Sequence, residues 1–191
     1  MPRKRRFSVL NDPPRNSFEN SDCLFKPVDD FSVFADFCCG NPDLDEYIHN
    51  EAQANDVAFF SRTYCLCLKS QDRLSPIVGF VALATDCIQL NNKEKKFFPN
   101  DLRYREYPAV KICRLAVRQE NQRQNIGSYM VHVIRRFFLT ENRVGCRFLT
   151  ADVYNAKPVL HFYQKNGFEF LSKDDAARST RTLYCDLLAF R

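Results

Sequence analysis

The stretch from Lys111 to Phe168 constrains this chain more than any other. An apolar run, Val110 to Val117, reads as a strand and ends in the polar loop Arg118-Gln-Glu-Asn-Gln-Arg-Gln-Asn125. Beyond the loop, Ile126, Met130, Val133, Ile134, Phe137 and Phe138 recur at helical spacing. Strand, tight loop and helix make a layout that can hold an anion. The first turn of a helix carries N–H groups without partners, and the helix dipole adds partial positive charge at the same end. Main chain alone can then hold a phosphate, provided no side chain blocks its approach. Gly127 has no Cβ, and Asn125 is among the few other residues that tolerate positive φ. Taken alone, a glycine at a helix start is more often simply a turn.

A partner segment lies downstream. A second strand, Arg147 to Val153, leads to Asn155, a good N-cap; Pro158 sits in the first helical turn and Gly167 stands where a C′ glycine closes the helix. The loop Gln122-Arg-Gln-Asn125-Ile-Gly127 and the segment from Asn155 through Phe162-Tyr163-Gln-Lys-Asn-Gly167-Phe168 together resemble the GNAT superfamily of N-acetyltransferases. Its acetyl-CoA loop reads Gln/Arg-x-x-Gly-x-Gly/Ala, and its later helix reads Asn-x-x-Ala-x-x-x-Tyr-x-x-x-Gly-Phe with variable spacing. Asn125 departs from the first glycine of that loop, at a cost of ~1 kcal/mol if its φ is positive.

The rest of the chain is consistent with one domain. With 191 residues, 45% apolar composition and 18 Phe, it can bury one substantial core. Its nine cysteines contain no C-x-x-C pair, and there are only three histidines, which argues against a disulfide framework and against a zinc site. Buried free thiols in a reducing cytoplasm are the better reading, and no metal is expected. Met1-Pro-Arg-Lys-Arg-Arg6 carries most of the formal net charge of +5 but is followed by Asn-Asp-Pro-Pro where a signal peptide would turn apolar. Residues 1–21 are expected to form a basic, flexible arm, either a solvated tail or a contact for a polyanion such as RNA, and residues 22–191 the folded domain. No stretch approaches the ~18 apolar residues that cross a bilayer.

Further elements follow from pattern. Cys23 to Val28 reads as a strand. Asn41 caps a helix with Pro42 at its first position, and Leu44, Tyr47, Ile48 and Ala52 share its inner face. Thr63–Lys69 and Ile77–Thr85 form an antiparallel hairpin about a polar turn, Ser70 to Pro76, and the second strand's unbroken apolar run implies burial on both faces. Phe168–Ser172 and Thr182–Leu188 supply two more strands. The count gives an α/β fold, the GNAT fold, with a mixed central sheet of about seven strands and helices on both faces.

The resemblance implies roles. Main chain of Leu115, Ala116 and Val117 would hold pantetheine; Gln122, Arg123, Gln124, Asn125, Ile126, Gly127 and Ser128 would meet the pyrophosphate, with Arg123 or Arg118 adding charge. Asn155 would hydrogen-bond the cofactor arm or serve only as a cap. Tyr163 would be the acid that protonates the leaving thiolate, or else a core aromatic. The implied activity is acetyl-CoA-dependent transfer of an acetyl group to a primary amine, directly, in a ternary complex. No general base is evident; Glu106, Asp86 and Glu120 are the candidates. Deprotonating lysine at neutral pH costs roughly 4.6 kcal/mol and an α-amine near pKa ~8 little more than ~1 kcal/mol, so a site without a base suits an α-amine. Phe37-Cys-Cys-Gly40-Asn41 and Leu44-Asp-Glu-Tyr47-Ile48 are similar to the opening of GNAT toxins of bacterial toxin–antitoxin pairs. That points to aminoacyl-tRNA as the amine and to an antitoxin partner, beside a small-molecule or protein amine and a homodimer. The alternative is a GNAT-like module that has lost catalysis and binds CoA or nucleic acid.

Overall fold

The computed structural model describes residues 17–70, 73–91, 95, 98, 102–140 and 144–191. Residues 1–16 of the basic arm therefore lie outside the described residues. Residues 17–21, on the arm's side of the expected boundary, include β1 (Phe18–Glu19), so the sheet reaches into them.

One mixed sheet of eight strands, one more than the count from pattern, runs in the order β1-β2-β3-β4-β5-β6-β8-β7. After β1 come β2 (Cys23–Pro27), β3 (Arg62–Ser70), β4 (Arg73–Ile88), β5 (Tyr107–Val117), β6 (Phe148–Tyr154), β7 (Glu169–Phe170) and β8 (Thr180–Asp186). β3 and β4 extend through most of the expected turn, leaving only residues 71–72 between them. β8 stops at Asp186, because its carboxylate accepts the Leu188 N–H and turns Leu187–Phe190 into a 3₁₀ helix. All neighbours are antiparallel except β5 and β6.

Side chains of β4 feed two cores, alternating from Phe80 to Leu83 as the period of a strand requires, after a bulge at Val78 that resets the alternation. Val78, Val81 and Leu83 meet α3 (Ile126–Thr140), whose Met130, Val131, Val133 and Ile134 are fully buried. Ile77, Phe80 and Ala82 meet Phe34, Phe37, Tyr47, Ile48 and Ala52 on the other face. The helix supplying the last three starts as α1 (Pro42–Glu46), passes through a π turn (Tyr47–Glu51) and ends as α2 (Ala52–Val57). Its start follows from Gly40-Asn41-Pro42. Gly40 takes φ +77°, and the Asn41 side chain accepts from Asp43 N and Leu44 N. Asp45 reaches back to accept from Cys39 N at 2.7 Å and Gly40 N at 3.1 Å.

At Gly79 on β4 the helix α3 approaches the sheet closely. A Cβ there would lie 2.6 Å from Met130 Sδ and 2.7 Å from the Ala116 carbonyl oxygen, and the latter is backbone and cannot step aside. Gly79→Ala is therefore expected to destabilise the fold by about 1–3 kcal/mol through overpacking, read as a lower urea midpoint at unchanged slope.

Candidate active site

β5 pairs with β4 as far as Val117 but with β6 only through Ala109, Val110 and Lys111, opposite Phe148, Leu149 and Thr150. A bulge accompanies the parting. Ala82 faces Arg114 while Leu83 faces Ile112, so Cys113 is an extra residue, and a bulge bends and twists the strand that carries it. At the fork, Lys111 Nζ meets Asp152 Oδ2 at 2.7 Å, and that hydrogen bond holds the ammonium pKa above the usual lysine range. The parted strands, with α1 and α4 (Lys157–Lys165), enclose a cleft of about 850 Å³. That is the size of a small-molecule site.

The cleft exposes unpaired main chain. Arg118 N donates to Val78 O at 2.8 Å, so in the alternation of an antiparallel ladder Ala116 and Arg114 also direct their groups to β4. Leu115 and Val117 turn theirs to the side that β6 has vacated. Of the three expected strand residues, these two direct main chain to that side, the Val117 carbonyl already accepting from Gln122 Nε2, while Ala116 lines the cleft with its main chain turned to β4 and its carbon atoms in the opposite core.

The loop before α3 presents a second row. Arg123 and Asn125 both adopt φ +62°, so the expected positive φ at Asn125 is found, and a second left-handed residue stands beside it. Among the described residues, the N–H groups of Arg123 through Ser128 meet no backbone carbonyl. Alternating left-handed residues at a helix N-terminus form a concavity suited to an anion. Side chains play other parts. Gln122 Nε2 donates to Cys39 O at 2.7 Å and Val117 O at 3.0 Å; Gln124 donates to Glu120 O; Ser128 Oγ accepts from Asn166. Ile126 packs against the core. Gly127 serves packing more than clearance for a ligand, since a Cβ there would lie 3.0 Å from Phe162 of α4.

Tyr163 lines the same cleft from α4, 8% exposed. Its place is fixed by the helix end. Gly167, at φ +82°, lets its N–H bond Gln164 O and the Phe168 N–H bond Tyr163 O, the two bonds of a Schellman motif, and the Phe168 ring meets the Tyr163 ring edge-on, with centroids 5.2 Å apart. The Tyr163 hydroxyl has no protein partner among the described residues, and burial pushes its pKa above the ordinary phenol value.

Other candidates stand elsewhere. The N-cap of α4 is Ala156, not Asn155, whose amide instead donates to Ala176 O and Arg178 O and ties down the loop before β8. Asn155 is not among the cleft-lining residues. Arg118 turns away to Ile77 O and Asp36. The candidate bases also stand outside the lining: Asp86 accepts from Thr150, and Glu106 from Gln89. Carboxylates do line the cleft, from Asp43, Glu46, Glu51 and Asp152. Sequence reading missed all four, because a helical period assigns Glu51 to a different side from Glu46 and nothing local shows that β6 diverges.

A cleft between parted strands, lined by β5, by Gln122 and Gly127 of the loop and by the buried Tyr163, with a phosphate-sized concavity of N–H groups at the start of α3, has the layout of an acyltransferase whose donor carries phosphate. The chain belongs to the GNAT acetyltransferase family, whose domain matches residues 64–170, and it is an N-acetyltransferase with acetyl-CoA as cosubstrate. The tRNA-acetylating toxin of Mycobacterium tuberculosis is 27% identical over 124 residues, 63% of this chain and 69% of that protein. A KacT mutant has a similar structure at TM-score 0.68 and 20% identity, covering 88% of this chain and 96% of that one. AtaT complexed with acetyl-methionyl-tRNAfMet matches at TM-score 0.65 and 21% identity, over 88% and 97%. An AtaT mutant toxin bound to the C-terminus of the antitoxin AtaR and acetyl-CoA matches at 0.61 and 19%, over 88% and 95%.

Two outcomes follow from this geometry. Arg123→Gly and Arg123→Ala both remove the loop charge, but only glycine relieves the positive φ. The glycine variant is expected to be more stable than the alanine variant by about 1 kcal/mol, a thermal midpoint ~2–4 °C higher, while both bind CoA more weakly to the same extent in calorimetric titration. For Tyr163, the folded pKa lies above the unfolded value of about 10. Its contribution to stability is full below pH ~10 and is lost as pH rises towards the folded pKa, since only the unfolded phenol ionises there. Tyr163→Phe is expected to make the decline in stability between pH ~9 and ~11 shallower in urea unfolding.

Proposed function

We propose that this enzyme acetylates the α-amine of an aminoacyl-tRNA, in the cytoplasm. The observation that carries the reading is the buried, unpartnered Tyr163 hydroxyl in a cleft whose walls offer free main chain on both the strand and the helix side. Similarity to a tRNA-acetylating toxin and to AtaT supports the acceptor. An antitoxin protein is the natural partner by the same similarity, through the structure holding AtaR. Among the described residues no helix is long and apolar enough to cross a membrane, and no group of three or more metal-binding side chains is present.

In this reading the N–H groups of Arg123 through Ser128 hold the pyrophosphate, and Leu115 and Val117 bond the pantetheine arm as a neighbouring strand would. That places the thioester in the fork between β5 and β6. The neutral α-amine attacks the thioester carbonyl; the C–N bond forms, the C–S bond breaks, and Tyr163 gives its proton to the departing sulfur. The ammonium proton leaves to solvent, and the tyrosine recovers a proton from it. A tyrosine is protonated at neutral pH, as this role requires, and burial only pushes its pKa further up. An α-amine is close enough to neutrality that no dedicated base is needed.

The test is incubation of the purified chain with acetyl-CoA and a mixture of aminoacyl-tRNAs, followed by nuclease digestion and mass spectrometry of the 3′-terminal aminoacyl-adenosine. N-acetylated product is expected. Tyr163→Phe is expected to lower kcat by about 10²–10⁴-fold with acetyl-CoA affinity held within about twofold; undiminished turnover would remove Tyr163 from its role.

A further inference from the structure

The acceptor end of the cleft is walled by the helix that begins at Pro42, and its pitch changes midway. Between α1 and α2 the π turn Tyr47–Glu51 is closed by the Ala52 N–H on Tyr47 O. In an unbroken α-helix, residues five apart point roughly 140° away from each other. A π turn closes from i to i+5 and brings such residues to one side. Glu46 and Glu51 are five apart, and both line the cleft. The helix cannot roll them away, because its inner side is locked by Tyr47, Ile48 and Ala52, 3%, 2% and 0% exposed.

The charges around this mouth divide into occupied and free. Asp43 accepts from the Tyr154 hydroxyl at 2.8 Å, across the cleft, and Asp152 is held by Lys111 and by Thr182. Arg114, the cation of the opposite wall, lies 5.0 Å over the Tyr47 ring and has no carboxylate partner among the described residues. Glu46 and Glu51 also have neither hydrogen bond nor ion pair among the described residues. Two like charges on one side of a helix repel, and a cation between them would turn that cost into attraction. Independently of these carboxylates, Tyr163, 92% buried, lines the same cleft, and its hydroxyl has no partner among the described residues. It marks the cleft as a place that a ligand completes.

We propose that Glu46 and Glu51 are the receptor for the acceptor's ammonium group, and that they restrict the enzyme to acceptors bearing no negative charge near that amine. The inference rests on the acetyl-transfer reading above and adds its selectivity. For aminoacyl-tRNA it admits neutral and basic aminoacyl groups and rejects aspartyl and glutamyl ones. The ammonium is captured at the mouth, releases its proton to solvent and moves inward as the neutral amine towards the thioester.

The test uses the full chain loaded with CoA, the Glu46→Gln/Glu51→Gln double variant, and two probes, alanine methyl ester and aspartic acid α-methyl ester. Competition against acetyl transfer and calorimetric titration are read together. The wild type is expected to bind the alanine ester at least tenfold more tightly than the aspartate ester. The double variant is expected to lose that preference while its acetyl-CoA affinity stays within twofold, which a merely structural role of the two residues would not produce. A wild type that binds neither ester, or binds both alike, overturns the proposal, as does a double variant with unchanged preference. Acetylation of alanyl-tRNA and aspartyl-tRNA, run in parallel, keeps the two readings apart. Loss of ester preference in the variant, with no aminoacyl-tRNA acetylated by the wild type, would leave the ammonium receptor standing and remove the RNA acceptor. Equal acetylation of both tRNAs would keep the acceptor and remove the receptor.

Discussion

Everything at this site depends on a pairing that stops early. Three registered pairs join β5 to β6, and then the strands diverge. A strand that keeps one neighbour and loses the other has main-chain donors and acceptors with nothing to bond, a condition that a buried sheet does not ordinarily tolerate. Here the cost is held in check by the Lys111–Asp152 pair at the fork and by β4, which keeps β5 straight on its other side apart from the bulge at Cys113. The exposed edge is thus a stable feature of the fold, and its chemistry is that of a strand awaiting a partner.

The segment before the first helix has a structural purpose beyond starting it. Asp36 receives the Arg118 guanidinium, Cys38 O receives the Gln119 N–H, and Cys39 O receives the Gln122 amide. Three links therefore bind residues 36–39 to the loop that leads into α3. The same residues that cap the helix at Asn41 also brace that loop, so the acceptor wall and the donor loop are one mechanical unit. The strain of two left-handed residues, Arg123 and Asn125, is carried by this bracing.

Much of this was legible in the sequence, and the reasons are local. Gly40-Asn41-Pro42, the strand into Val117, the helix from Ile126 and the Tyr163–Gly167–Phe168 turn each state their conformation within a few residues, through caps, positive φ and periodicity. What was not legible depends on long-range geometry. Asn155 reads as an N-cap, yet the loop before β8 offers its amide two carbonyls and the cap moves on to Ala156. Arg118 reads as a phosphate ligand, but Asp36, far away in sequence, takes its guanidinium. The π turn has no mark in the sequence at all, since its residues fit an α-helix equally well, and the acceptor-side carboxylates went unseen with it.

The position of β8 carries a consequence for how the molecule is made. It lies between β6 and β7 in space but follows both in sequence, and it pairs with β6 along all seven residues from Phe148 to Tyr154. During synthesis, β6 therefore waits with one side bare until Thr180–Asp186 has left the ribosome. Until then the wall that carries Asp152 and Tyr154 has no fixed place, and Lys111 has no settled counter-charge at the fork. An unfinished chain should bind donor poorly and transfer nothing. Activity would then appear in a single step, when β8 joins β6, which suits an enzyme whose acceptor, as proposed here, is the raw material of translation.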